Sequence, residues 1–213
     1  MNTLFFVLCA IYYGRLTKFK LPYSKQMALF MLLLGISSFF GGIGHTVQKQ
    51  MGDGFFETIL FVMNAFSILS IYFCFKSAYT IFNLDVRSSN KYVYFVMVWI
   101  LLLLIYCGVQ GSFLIIKIHA GIVLLYALIV HYLVYRRNKD KGSELVVLGI
   151  LISFLPLIVH SLRISLHDWF NHKDMAHVIM IISLYVIYKG VFQISKVLST
   201  EEQETEEQSA IKI

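Results

Sequence analysis

Between Ser165 and Met180 the chain carries His167, His172 and His177 with Asp168 and Asp174, directly ahead of a long apolar run. Neutral imidazole is the commonest protein ligand for metals, and a nearby carboxylate can orient the ring. The chemistry these residue types offer is zinc binding. With one coordination position left open, that extends to activation of water for attack on a carbonyl. Spacing argues against a self-sufficient linear motif, because His172 and His177 are five residues apart, about 140° around a helix. Asp174 and His177, three apart, share a face. Asp174 therefore reads either as a helix cap or as a partner orienting His177, with His172 folding in from the loop.

A site of this kind needs contributors from other elements, and composition says what those are. Of 213 residues, 58% are hydrophobic and only 14% charged, against about 25% charged in soluble domains. Mean hydropathy is +0.74. This predicts an all-α, polytopic membrane protein. A hydrocarbon core of about 30 Å takes about 20 helical residues to cross. Seven apolar runs are candidate spans, the first of them short: Asn2–Tyr13, Gln26–His45, Phe55–Phe82, Tyr92–Val109, Ser112–Tyr135, Leu145–Leu162 and Met175–Phe192. The runs are continuous and not alternating, which favours helices over a barrel. The first has no basic flank or cleavage site and reads as a retained span. A single seven-helix domain is expected over residues 1–198. The acidic segment from Ser199 onward, rich in Glu and Gln, reads as a disordered tail at 199–213.

The net charge of +6 is a matter of topology and not of nucleic-acid binding. Arg15, Lys18, Lys20 and Lys25, then Arg87 and Lys91, then Arg136, Arg137, Lys139 and Lys141 fall on alternate connections. By the positive-inside rule the N-terminus is outside and the tail cytoplasmic. That describes a multi-pass protein of a bacterial inner membrane or a eukaryotic endomembrane. Cys9, Cys74 and Cys107 lie within spans and show neither metal spacing nor a disulfide framework.

Threading the runs at about 1.5 Å per residue gathers the histidines near the outer face. His45 ends the second span, His160 lies near the top of the sixth, His177 opens the seventh, and His119 is placed about 10 Å below the surface on the fifth. His131 alone falls at the other end. Glu57 opens the third span, with Asn64 and Ser67 on its face. Ionisable groups in a membrane are costly and mark functional candidates. Ser38, Gly41, Gly42 and His45 form a stripe on the second helix, whose glycines serve close helix approach or leave room for a ligand. Pro156 is expected to kink the sixth span below His160.

Seven spans, Ser38 and His45 on the second helix, Glu57 or Asn64 on the third, and His177 at the start of the seventh resemble the CREST superfamily. This group comprises the alkaline ceramidases and the progestin and adipoQ receptors. The resemblance implies a zinc site held by His45 and His177, with Ser38 as neighbouring hydroxyl and Asn64 or Glu57 in place of the family Asp. The chain departs from the pattern in two ways. His172 and His177 stand where the family has two histidines four apart, and Ser38 precedes His45 by seven residues where four is usual. The third ligand is His160, preferred for its depth, or His172, with His119 a further candidate.

The leading expectation is a zinc-dependent hydrolase of a lipid amide or ester. Metal-bound water is the nucleophile and Glu57 or Asp174 the proton carrier, acting on a membrane lipid substrate that enters from the outer leaflet. A haem-binding electron-transfer protein, using His45 with His160 or His119 with His177 as axial ligands, is the first alternative. A non-enzymatic receptor or transporter-type bundle with a histidine cluster is the second. Nothing in the sequence fixes an oligomeric state.

Overall fold

The computed structural model describes the chain apart from residues 48–52, 83–90, 111–112, 168–169 and 212–213. The described residues form helices: α1 Asn2–Leu16 with a 3-10 turn Thr17–Phe19, α2 Pro22–Val47, α3 Asp53–Phe82, α4 Lys91–Gln110, α5 Phe113–Asn138, α6 Lys141–Ser153, α7 Leu155–Ser161 and α8 His172–Ile211. Among them the one strand-type pairing is an isolated bridge between His167 and Phe170. The chain is all-helical, as its composition predicts.

Local chemistry sets the helix boundaries. Pro22 sits at the first position of α2, where its missing N–H costs nothing. Asp140 caps α6 by accepting from the Gly142 and Ser143 amides at 3.0 and 2.8 Å. Lys139, with φ 54°, closes α5 through its own N–H to the Tyr135 carbonyl at 2.8 Å. The sixth apolar run is broken as expected. Pro156 cannot donate to the carbonyl four residues earlier and its ring crowds that turn, so α6 stops at Ser153 and α7 restarts at Leu155. At the break the Ser153 hydroxyl donates to the Ile150 carbonyl at 2.6 Å.

Four helices are long and apolar enough to cross a membrane: Pro22–Gly44, Gly54–Phe82, Ile115–Asn138 and Asp174–Thr205. Tyr94–Val109 is apolar but shorter, and α1, at 15 residues, and α6, at 13, are shorter than a full span. The outward faces are greasy. Phe95, Val98, Leu101 and Leu102 on α4, Ile118, Ile122 and Leu125 on α5, and Leu148 and Leu151 on α6 are exposed, far more apolar surface than a water-soluble chain leaves uncovered.

The acidic segment differs from expectation: α8 continues through it to Ile211. Glu and Gln are good helix formers, and the preceding apolar turns supply the nucleus that a free peptide would lack.

Where lipid replaces water, helices gain little from burying apolar faces against one another, and close contact through small residues holds the bundle. The α6–α8 seam shows this most clearly. A Cβ on Gly190 would lie 2.5 Å from the Gly142 carbonyl oxygen, and one on Gly149 would lie 2.9 Å from the Ile187 amide nitrogen. The Ser183 hydroxyl donates to the Gly149 carbonyl at 2.8 Å.

Candidate functional site

Side-chain bonds between helices fix the register and with it the level of each candidate residue. Ser24 on α2 donates to Ser195 on α8 at 2.7 Å. From that point His45 is about 30 Å along α2 and His177 about 27 Å back along α8, so an antiparallel pair brings both to one end. On α3, Ser70 donates to the Phe30 carbonyl at 2.8 Å, and Ser37 on α2 donates to the Met63 carbonyl at 2.9 Å. Gly44 faces Ile59, which puts Glu57 level with His45. The Gly142–Gly190 and Gly149–Ser183 contacts, continued through α7, set the His160 backbone level with the start of α8. The backbones of His45, His160, His172 and His177 thus share one end of the bundle.

The side chains of His45 and His160 lie outside the described residues, as do Asp168 and Trp169. Among the described side chains, no three of His, Cys, Asp or Glu stand together as a metal-holding group. His172 and His177 are both half-buried on α8, five residues apart and so on different faces.

Asp174 is occupied in capping. Its Oδ2 accepts the Asn171 amide at 3.4 Å, while the Met175 amide donates to the Asn171 carbonyl at 3.0 Å. This is a residue at the third helical position reaching back to the residue before the helix, as in a capping box. The His172 amide donates to the Ser165 hydroxyl at 3.0 Å. The first turn of α8, and with it the direction of His177, is fixed by the loop.

The glycines of α2 serve packing. A Cβ on Gly42 would meet the Asn2 side chain at 2.6 Å, and one on Gly41 would meet the Met63 sulfur at 3.1 Å. Ser38 is half-buried, and it is its neighbour Ser37 that bridges to α3.

Two expected members face away from α2. Phe56, Ile59 and Met63 form the face of α3 that meets α2, and Glu57 and Asn64 point about a third of a turn away from it. They line a cleft of about 530 Å³ against Cys107, Gly108 and Val109 of α4. Glu57 is exposed there, whereas Asn64 is 1% exposed and its Oδ1 has no hydrogen-bond partner among the described residues.

His119 does not join the histidine level. It lines an apolar cleft of about 510 Å³ with Ile71, Tyr72, Phe75, Trp99 and Tyr126, about 10 Å deeper than Asn64. The cause is structural. Gly108, near the end of α4, meets α3 at Phe61, about two turns into that helix, so α3 overhangs there and α5, which follows α4, starts correspondingly low.

At the opposite end, Tyr23, Ser24, His131, Ser143 and Ser195 from four helices are all buried. His131 Nδ1 is 3.5 Å from the Ser143 hydroxyl, and its ring lies 6.0 Å from that of Tyr23. Sequence spacing carries no sign of this polar layer beyond the position of His131, because its members meet only through the helix register.

Residues 1–196 match a family described as a family of unknown function (DUF6962), and the chain belongs to that family. No curated protein and no solved structure matches it.

Proposed function

We propose that this DUF6962 protein is a seven-span membrane hydrolase that uses zinc to cleave a lipid amide or ester. The observation behind this reading is the register, which carries the backbones of four histidines from α2, α7 and α8 to one end of the bundle. On this reading α6 and α7 act together as one broken span of about 30 Å, α1 and α4 complete the seven, and alternate basic connections place the histidine end outside.

His45 and His177 would hold the ion, with His160 or His172 as third ligand. Zinc at such a set supplies Lewis acidity and an acidified water. The chain's own contribution is positional. The Asn171–Asp174 cap and Ser165 fix the first turn of α8 and so aim His177. Ser38, two turns below His45, offers a half-buried hydroxyl to a substrate carbonyl.

Elemental analysis of purified wild type beside His45→Ala and His177→Ala tests this. Stoichiometric zinc in the wild type, lost in both variants, is expected; a metal-free wild type after gentle extraction sinks the reading.

A non-enzymatic lipid-binding bundle is the second reading. It is favoured by Asp174 being engaged as a cap and Glu57 lining the α3–α4 cleft, which gives both candidate proton carriers other roles. The haem alternative weakens for the pair His119–His177, since His119 opens on the α3–α5 side and deeper. A Soret band in the purified protein would restore it.

A further inference from the structure

We propose that the α3–α4 cleft binds a cationic amphiphile: a primary ammonium at the rim with Glu57, and a hydrogen-bond donor further down its chain at Asn64. The cleft of about 530 Å³ is of a size that holds small ligands. Its polar lining is selective in sign. Glu57 offers a carboxylate and Asn64 an amide, while the Thr58 hydroxyl is spent on the Gly54 carbonyl at 2.9 Å. No basic residue is among the described lining residues, and the Glu57 carboxylate there favours a cationic, donor-bearing head over an anionic one.

Asn64 supplies the second and independent observation. Buried amides are nearly always hydrogen-bonded, and one left unpaired calls for a ligand or a water. Asn64 is 1% exposed, lines the cleft and has an Oδ1 with no partner among the described residues. The oxygen itself is buried, and on this proposal the amide turns about its last side-chain torsion, which is soft, to present it to the ligand. Glu57 and Asn64 lie two turns apart, about 10 Å, which sets the separation of the ligand's two donors. Leu60, Phe61 and Val109 line the space around them and suit an alkyl chain. The site shares no proposed metal ligand with the histidine end, so binding here stands or falls independently of zinc.

The test uses the full chain in nanodiscs and calorimetric titration of the dodecyl amide of 6-aminohexanoic acid, whose ammonium and amide N–H are about 9 Å apart when extended. Two relatives serve as controls: the dodecyl monoamide of adipic acid, which swaps ammonium for carboxylate, and the dodecyl ester of 6-aminohexanoic acid, which lacks the amide N–H. The expected result is saturable binding of the first, with each control about tenfold weaker or worse. Glu57→Gln should erase the preference for ammonium over carboxylate, and Asn64→Leu the preference for amide over ester. Equal binding of cationic and anionic probes, or unchanged binding to Glu57→Gln, overturns the proposal. Glu57 is exposed, so its variant folds and decides the matter even where the buried Asn64 substitution fails. Zinc content of the same preparation is indifferent to the outcome, which keeps the two failures distinguishable.

Discussion

At the scale of single residues, polar side chains in this bundle divide by what they are bonded to. Asp174 Oδ2 holds the Asn171 amide, and deleting a cap costs about 1 kcal/mol. Asp174→Ala is therefore expected to lower the melting temperature in detergent and, if His177 holds zinc as proposed, to weaken metal retention in step with it. A normal melt with lost metal would show that the carboxylate works on the metal side instead. Asn64 is the opposite case. Its buried Oδ1 bonds to nothing among the described residues, and an unsatisfied buried group costs roughly 1–3 kcal/mol. Asn64→Leu should raise stability by about 1 kcal/mol, read as a higher melting temperature, at the expense of the ligand preference described above. The sequence left Asp174 open between a helix cap and a partner for His177, and the cap contact is the one the structure shows. The isolation of Asn64 was not legible in the sequence, because it depends on which face of α3 meets α4.

At the scale of elements, the seams are set by small residues whose cost of enlargement differs sharply. A Cβ on Gly190 would sit 2.5 Å from the Gly142 carbonyl oxygen and 2.8 Å from the Val146 amide and side chain. Backbone cannot retreat as a side-chain tip can, so Gly190→Ala should force α6 from α8 and cost about 2–3 kcal/mol. Gly108→Ala makes only ordinary contact with the Phe61 ring at 3.5 Å, and alanine is the better helix former by about 1 kcal/mol. Its melt should match or exceed that of the wild type. Comparable melting of the two variants would contradict the close α6–α8 approach. The kink at Pro156 was readable from proline's missing donor. The helical course of α8 through its acidic segment was not, because composition reports solvation and not whether a helix already under way will continue.

At the scale of the whole molecule, apolar runs predict helices and their order well but predict depth poorly. A run's position in the sequence says nothing of how far below its neighbours it starts, and α5 begins well below the overhanging end of α3, which takes His119 out of the histidine level. His45, Glu57, His160 and His177 stayed level because their helices are tied by Ser24–Ser195, Ser37–Met63 and Ser183–Gly149. The orientation of the bundle is open to direct measurement. Cys9, Cys74 and Cys107 are all buried, so a membrane-impermeant thiol reagent should leave the native protein unlabelled and report only on introduced cysteines. Leu166, in the loop before α8, Asn138, at the end of α5, and Glu202, near the end of α8, are exposed. Seven crossings with the N-terminus outside require Leu166→Cys to react in intact cells, and Asn138→Cys and Glu202→Cys to react only after permeabilisation. Only if α6 and α7 together cross the bilayer do positions 138 and 166 fall on opposite sides. Labelling of both from the same side would leave this pair as a re-entrant element, and would remove His160 from the outer level that the zinc reading requires.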